Sequence, residues 1–159
     1  MYKDLVSIVI PTYNRVNLIQ ETIDSALAQT YKNIEIILFD NNSSDNTFSF
    51  LKKKYNKNLK VKIYKNDFTL DIVINWRKCF DYANGKYVHI LWSDDLINPE
   101  FISKTVDFLE CNPSAGFVYT LTEIFNNDKG TKKYAFQLKN SGLIDKKVFI
   151  EKSLMEPPL

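Results

Sequence analysis

Residues 5–15 read LVSIVIPTYNR. The run LVSIVI is short, nearly continuous in apolar character and rich in β-branched side chains. It lacks the polar alternation of a strand with one wet face, so it reads as a strand covered on both sides. Pro11 then blocks further ladder bonding, and TYN makes a turn. A strand buried on both faces needs a layer of helices above and below it, and further strands beside it.

The chain supplies both. NLIQETIDSALAQT (17–30) places Ile19, Ile23, Ala26 and Leu27 on one helix face, with Asn17 and Gln20 spaced as a capping-box pair. IEIILF (34–39) repeats the buried-strand pattern. SSDNTFSFLKKKYN (43–56) offers Ser44 or Asp45 as N-cap and puts Phe48, Leu51 and Tyr55 on one helix face. KVKIYK alternates more clearly and predicts an outer strand. LDIVINWRKCFDYAN reads as a helix closed by Gly85, YVHILW as another central strand, and PEFISKTVDFLECN as a helix with Asn98 as cap and Pro99 at its first position. AGFVYTL (115–121) predicts a fifth strand. From about residue 122 the pattern degrades. NNDKGTKKY reads as a polar hairpin tip, and DKKVFIEKSL as a short amphipathic helix with Val148, Phe149 and Leu154 inward. The ending MEPPL reads as cut rather than finished. The expectation is an α/β chain of three layers with a mostly parallel, Rossmann-like sheet, forming one domain over residues 1–159.

Composition narrows the partners. A chain of 159 residues that is 45% hydrophobic can bury a core of its own. Its net charge of +2, with no basic stripe interleaved with aromatics, argues against nucleic acid. Cys79 and Cys111 lack metal-ligand spacing and read as small buried apolar side chains in a reducing compartment. No apolar run approaches the roughly 20 residues that span a bilayer, and MYKDLVSIVIP is too short for a signal peptide, so a cytoplasmic location is expected. Lys52, Lys53, Lys54, Lys57, Lys60, Lys62 and Lys65 read first as a solvated face, with attraction to an anionic membrane surface as the lesser reading. His89 reads as a core residue and not as a ligand.

In a parallel sheet the ligand binds beyond the carboxyl ends of the strands. Three polar clusters fall there: PTYN (11–14), DNNSSD (40–45) and SDD (93–95). Adjacent Asp94 and Asp95 repel, which makes most sense if a cation sits between them and a ligand. Asp95 can offer a hard oxygen to a divalent cation, and Asp94 can accept from a sugar hydroxyl. The competing reading, that one of them caps the next helix, is weakened by Asn98. Mg2+ and Mn2+ both suit few protein oxygens plus a diphosphate. Asp40 or Asn41 can reach a base edge, against the plainer reading of an Asx-rich turn. Tyr13 offers a ring on which a base could stack, with Thr12 and Asn14 beside it, against that of an ordinary turn with a packed tyrosine.

VSIVIPTYNR, SALAQTYKNIEIILFDNNSSDNT, ANGKYVHILWSDD and NPEF, in this order and spacing, resemble the nucleotide-sugar-binding half of a family 2 glycosyltransferase of the GT-A fold, over roughly residues 5–120. The resemblance implies inverting transfer of a sugar from a nucleoside diphosphate sugar, usually a UDP-sugar, to a polysaccharide or glycolipid acceptor, assisted by Mn2+ or Mg2+. It implies that Pro11, Thr12, Tyr13 and Arg15 border the uridine and that Asp40 and Asn41 face base and ribose. Asp94 and Asp95 take the last two positions of the DxD-type motif, with Ser93 at the first. Asn41 stands where the family often has an aspartate, and a free asparagine could turn either way to fit uracil or cytosine. The catalytic base is expected in an acceptor half beyond Leu159. The acceptor implies a carbohydrate or lipid carrier and work at the inner face of the membrane.

Other classes fit less well. A dinucleotide oxidoreductase needs a Gly-rich turn after its first strand, and IPTYNR has no glycine. A P-loop enzyme needs a Gly-Lys-Ser/Thr loop, which is missing. A receiver-type signalling domain wants acidic residues where Pro11 and Thr12 stand. A non-catalytic nucleotide-binding module stays open as the alternative.

Overall fold

The computed structural model describes residues 4–126, 131–135 and 142–149. The chain divides into two compact units, Met1–Val106 and Asp107–Leu159. In the first, β1 (Val6–Thr12), β2 (Ile34–Asp40), β3 (Val61–Lys65) and β4 (Tyr87–Ile90) form a parallel sheet in the order β3-β2-β1-β4. Helices α1 (Ile19–Leu27), α2 (Thr47–Tyr55) and α3 (Ile72–Asp81) alternate with the strands, and α4 (Phe101–Cys111) follows β4. Every residue of β1 and β2 is buried, as their unbroken apolar runs predict.

The pleat divides the core between two helical layers. Val6, Ile8 and Ile10 point to one side, against Ile19, Ile23 and Ala26 of α1, Leu51 and Tyr55 of α2, and Ile102 and Val106 of α4. Val9, Ile37 and Phe39 point to the other, against Cys79 of α3. The three-layer α/β arrangement expected from the sequence is therefore present, and KVKIYK is the outer strand it reads as.

Several local expectations are corrected. YVHILW stands at an edge of the described sheet, with the side chains of Tyr87–Ile90 only partly covered or exposed and Leu91 buried. AGFVYTL forms no strand; β5 begins at Thr122 and pairs antiparallel with β6 (Thr131–Ala135) in a separate two-stranded sheet. Two aromatic side chains of AGFVYTL, Phe117 and Tyr119, pack on Phe149 within the second unit. The tip of the expected hairpin, residues 127–130, lies outside the described residues. Residues 146–149 are helical, and Phe149 packs on Phe117 and Tyr119, while Val148 is exposed. Residues 150–154 of that expected helix, Leu154 included, and the ending MEPPL lie outside the described residues. Cys111 is exposed, and only Cys79 is the buried apolar side chain expected of both. No helix among the described residues is long and apolar enough to cross a membrane.

Gly85 is not a helix stop, because α3 has ended at Asp81. A Cβ at Gly85 would stand 2.6 Å from the Ser7 amide nitrogen and 2.7 Å from the Leu5 carbonyl oxygen, so only glycine lets this turn lie against β1. The Gly85 amide donates to Ser7 Oγ at 2.8 Å, and Ser7 Oγ donates to Glu35 at 2.6 Å. Glu35 also receives Lys62 Nζ at 2.6 Å and the Asn84 amide at 2.8 Å. Burial alone would raise its carboxyl, but the hydrogen bonds from Lys62, Ser7 and Asn84, together with the Lys62 charge, outweigh burial and hold it below its ordinary value.

Gly85→Ala is expected to destabilise the chain by about 1–3 kcal/mol in urea unfolding, whereas Gly116→Ala, with open space around its Cβ, should be close to neutral. A carboxyl held below its unfolded value adds stability above that value and loses it as pH falls through the folded one. The wild type should therefore lose stability on acidification below about pH 4.5 more steeply than Glu35→Gln, which lacks the titrating group. Matching acid limbs in the two unfolding profiles would show that Glu35 contributes nothing to the pH dependence.

Candidate functional site

Because β1, β2 and β4 run parallel, the segments that leave them emerge on one edge of the sheet. Side chains stitch the first two together. Asn14, in the left-handed region at φ 52°, donates its amide to Ser43 Oγ at 2.9 Å, and its Oδ1 accepts the Ser44 amide at 2.9 Å. The Arg15 amide donates to Thr47 Oγ1 at 3.0 Å, and the Val16 amide to Asp45 Oδ2 at 3.1 Å. These contacts replace the expected helix caps. Leu18 occupies the N-cap of α1 and Asn46 that of α2, neither with a side-chain cap bond, so Asn17 and Gln20 form no capping box. Asp45 Oδ1 accepts the Thr47 amide at 3.0 Å, and its carboxyl is held low because hydrogen bonds outweigh a raising effect of burial.

Asp40 is fully buried, and its carboxylate accepts the Ser43 amide at 2.9 Å and the Ser43 hydroxyl. It sets the bend of the second segment. Asn41 is held harder still. Its Nδ2 donates to the Leu70 carbonyl at 2.9 Å, and its Oδ1 accepts from both the Leu70 amide and Asn66 Nδ2 at 2.9 Å. Two backbone groups of one residue fix the orientation, so this carboxamide is not free to turn. Both Oδ1 lone pairs are used, and one Nδ2 proton is left to offer a ligand. Asn66 also donates to Asn75 Oδ1 at 2.8 Å and accepts from Lys78 at 3.0 Å. This buried cluster holds the 66–71 segment against the end of β2.

Pro11 and Thr12 are buried at the end of β1, and Thr12 Oγ1 has no hydrogen-bond partner among the described residues. Tyr13 is 45% exposed, which leaves its ring accessible. The Arg15 guanidinium reaches Asp94 at 3.5 Å and so ties the first segment to the third. Asp95 follows in a turn closed by its own amide on the Trp92 carbonyl at 3.0 Å. Burial, and then the neighbouring Asp94 charge, raises its carboxyl above the ordinary value. Ser93 is buried.

Asn98 Oδ1 accepts the Glu100 amide at 3.0 Å at the start of α4, so the capping task belongs to Asn98 and both aspartates stay out of it. Among the described residues no three His, Cys, Asp or Glu side chains converge to enclose a metal. The Asp94–Asp95 pair is an open donor set of hard oxygens, suited to a cation that brings further oxygens with its ligand. His89 lies against the Phe101 ring at 4.7 Å, and burial lowers its imidazole to about 4, which keeps it neutral and away from the site chemistry.

Sequence reading missed Gln29, Asn66 and Asn75. Gln29 is buried and clamps the start of α4, accepting the Ile102 amide at 3.0 Å and donating to the Asn98 carbonyl at 2.8 Å. For Gln29 and Asn75 the only signal was an amide side chain on or beside an otherwise apolar helix face, whereas Asn66 directly follows the carboxyl end of β3, where polar residues point to a site.

Comparison with known proteins agrees with this geometry. The model of glycosyl transferase family 2 matches residues 7–155. The chain is 37% identical to the Escherichia coli UDP-Glc:alpha-D-GlcNAc-diphosphoundecaprenol beta-1,3-glucosyltransferase WfaP, over 67% of this chain and 42% of that protein. With WfgD, the Escherichia coli protein of the same described activity, it shares 30% identity over 96% of this chain and 62% of the relative. S. aureus TarS 1-349 in complex with UDP-GlcNAc superposes with a TM-score of 0.61 at 25% identity, over 68% of this chain and 32% of that one. The chain thus spans less than two thirds of the length of these proteins. With the parallel sheet of a GT-A fold, three polar segments on its carboxyl edge and a family match that runs almost end to end, the chain belongs to glycosyl transferase family 2.

Proposed function

We propose that this chain is the donor-binding part of an inverting, metal-dependent transferase that moves a sugar from a UDP-sugar to a polysaccharide or lipid-linked acceptor at the inner face of the membrane. The observation that carries this reading is the Asp94–Asp95 pair, which stays outside the capping of α4 and is tied through Arg15 to the first of the other two segments. The activities for which the two Escherichia coli relatives are named and the UDP-GlcNAc bound to TarS support it.

In this reading Tyr13 lies against the base, with Pro11 and Thr12 beneath it and Arg15 at the rim. Asp40 and Asn41 hold the segment that the base and ribose face, and Asn41 offers its one spare N–H to a base carbonyl. Asp94 accepts from a sugar or ribose hydroxyl. Asp95 and the donor's phosphate oxygens would hold Mn2+ or Mg2+, which supplies Lewis-acid stabilisation of the departing diphosphate. Attack by the acceptor needs a base on the opposite face of the sugar, and the acceptor half provides it.

Calorimetric titration should show UDP binding at least about tenfold tighter with Mn2+ or Mg2+ than with chelator, a difference of about 1.4 kcal/mol. Asp95→Ala should erase that difference more completely than Asp94→Ala. Equal affinity in the two conditions would remove the metal from this reading.

Asn41→Asp exchanges an N–H that Leu70 accepts for an oxygen set against the same carbonyl. The variant should lose about 1–3 kcal/mol of stability, exchange the Leu70 amide faster and bind UDP more weakly. Unchanged exchange at Leu70 would show that Asn41 does not hold the 66–71 segment.

A further inference from the structure

Positive charge is segregated along one edge of the first unit. Between Asp45 and Asp67 the sequence holds Lys52, Lys53, Lys54, Lys57, Lys60, Lys62 and Lys65 and no acidic residue, although the whole chain is only +2. The fold gathers these lysines. Helix α2 turns Thr47, Leu51 and Tyr55 inward, which leaves Lys52 and Lys53 on its exposed side. Lys52 and Lys65 both lie over the Phe48 ring, at 5.7 and 5.5 Å, so the end of β3 adds its charge to the helix. In the turn between α2 and β3, Lys60 donates to the Lys32 carbonyl at 2.9 Å and draws Lys32 to the same edge.

Few of these charges are used within the protein. Lys62 is paired with Glu35 at 2.6 Å, and Lys54 stands 4.0 Å from Asp24. Lys32, Lys52, Lys53, Lys57, Lys60 and Lys65 have no carboxylate at ion-pair distance among the described residues. Among them, in the same turn, stands Leu59, 99% exposed.

We propose that this edge, α2 with the 56–60 turn and the end of β3, is a docking surface for anionic phospholipid, with the lysines on the headgroup phosphates and Leu59 inserted beneath them. The turn adds a fully exposed leucine between Lys57 and Lys60 to this run of unpaired charge. Lipid suits both, because an interfacial contact combines charge attraction with burial of an apolar side chain. A purely polyanionic partner such as nucleic acid would leave Leu59 unused. The 56–60 turn lies at the amino ends of the parallel strands, and Lys65 ends β3 at the opposite edge of the described sheet from β4, which leads to Asp94–Asp95, so docking leaves that pair open. The inference rests on charge and exposure at this edge and does not depend on the donor-site reading.

The test is co-sedimentation of the 159-residue chain with vesicles of phosphatidylcholine alone or with about one third phosphatidylglycerol. Binding is expected only to the anionic vesicles, falling as salt rises from about 0.1 to about 0.5 M. The triple variant Lys52→Glu, Lys53→Glu, Lys57→Glu should bind them at least about tenfold less, and Leu59→Ser should bind less while keeping its salt dependence. Both variants change exposed side chains, and retained UDP binding and circular dichroism would show that they fold and would separate this surface from the donor site. Failure of the wild type to bind anionic vesicles at low salt would overturn the proposal. So would equal binding by the triple variant, or a wild type that prefers heparin to vesicles with no effect of Leu59→Ser.

Discussion

The parallel register of β1 and β2 is the constraint from which the rest follows. Val6 lies opposite Ile34, and the pairing runs without a bulge to Thr12 opposite Asp40. Both strands are buried on both faces, and a one-residue slip would exchange the side chains facing α1 and α2 for those facing α3. The register is therefore held by the entire core. It also brings the ends of the strands level, so that Asn14 and Ser43, or Arg15 and Thr47, meet at hydrogen-bond distance although about thirty residues separate them.

That alignment explains why the two helices on this edge begin without conventional caps. The Arg15 and Val16 amides ahead of α1 donate across the gap to Thr47 and Asp45 at the start of α2, and Asp45 also takes the Thr47 amide within its own segment. A local cap steadies one helix, whereas this arrangement joins two helix starts and the turn between each and its strand. Asn14, Asn42 and Asn46 adopt the left-handed conformation that asparagine tolerates, and from it Asn14 bonds Ser43 and Ser44.

What could be read in advance follows from the range of the forces involved. The buried strands, the helix faces and the three polar clusters were legible because burial on two faces writes a continuous apolar run, and strand ends write polarity directly after it. The caps were misread because Asn17 and Gln20 match a local pattern, while the groups that serve those amides lie on another segment. The role of Asn41 was legible only by half. Its place at the end of β2 is plain in the sequence, but its bonds to Leu70 and Asn66 depend on how the 66–71 segment folds back. AGFVYTL carries the composition of a strand, yet composition does not state which partner a strand will find.

The adjacent aspartates then have a physical account. Asp94 is half-neutralised by Arg15 at 3.5 Å, across two side chains that both remain well exposed. A pair so open to water is worth at most about 1 kcal/mol, so a ligand that offers either partner a better contact can displace it at little cost. Asp95 has no such cation among the described residues, and burial together with Asp94 makes its negative charge costly. Among the described residues the chain thus supplies one weak, exchangeable counter-charge to the first carboxylate and none to the second. In the proposed complex a divalent cation held by a diphosphate would complete that balance on Asp95 and would leave Arg15 free to turn toward the phosphates. The like-charge pair that makes the isolated loop unfavourable is, in the proposed complex, what gives the loop its selectivity for a ligand that arrives with its own cation.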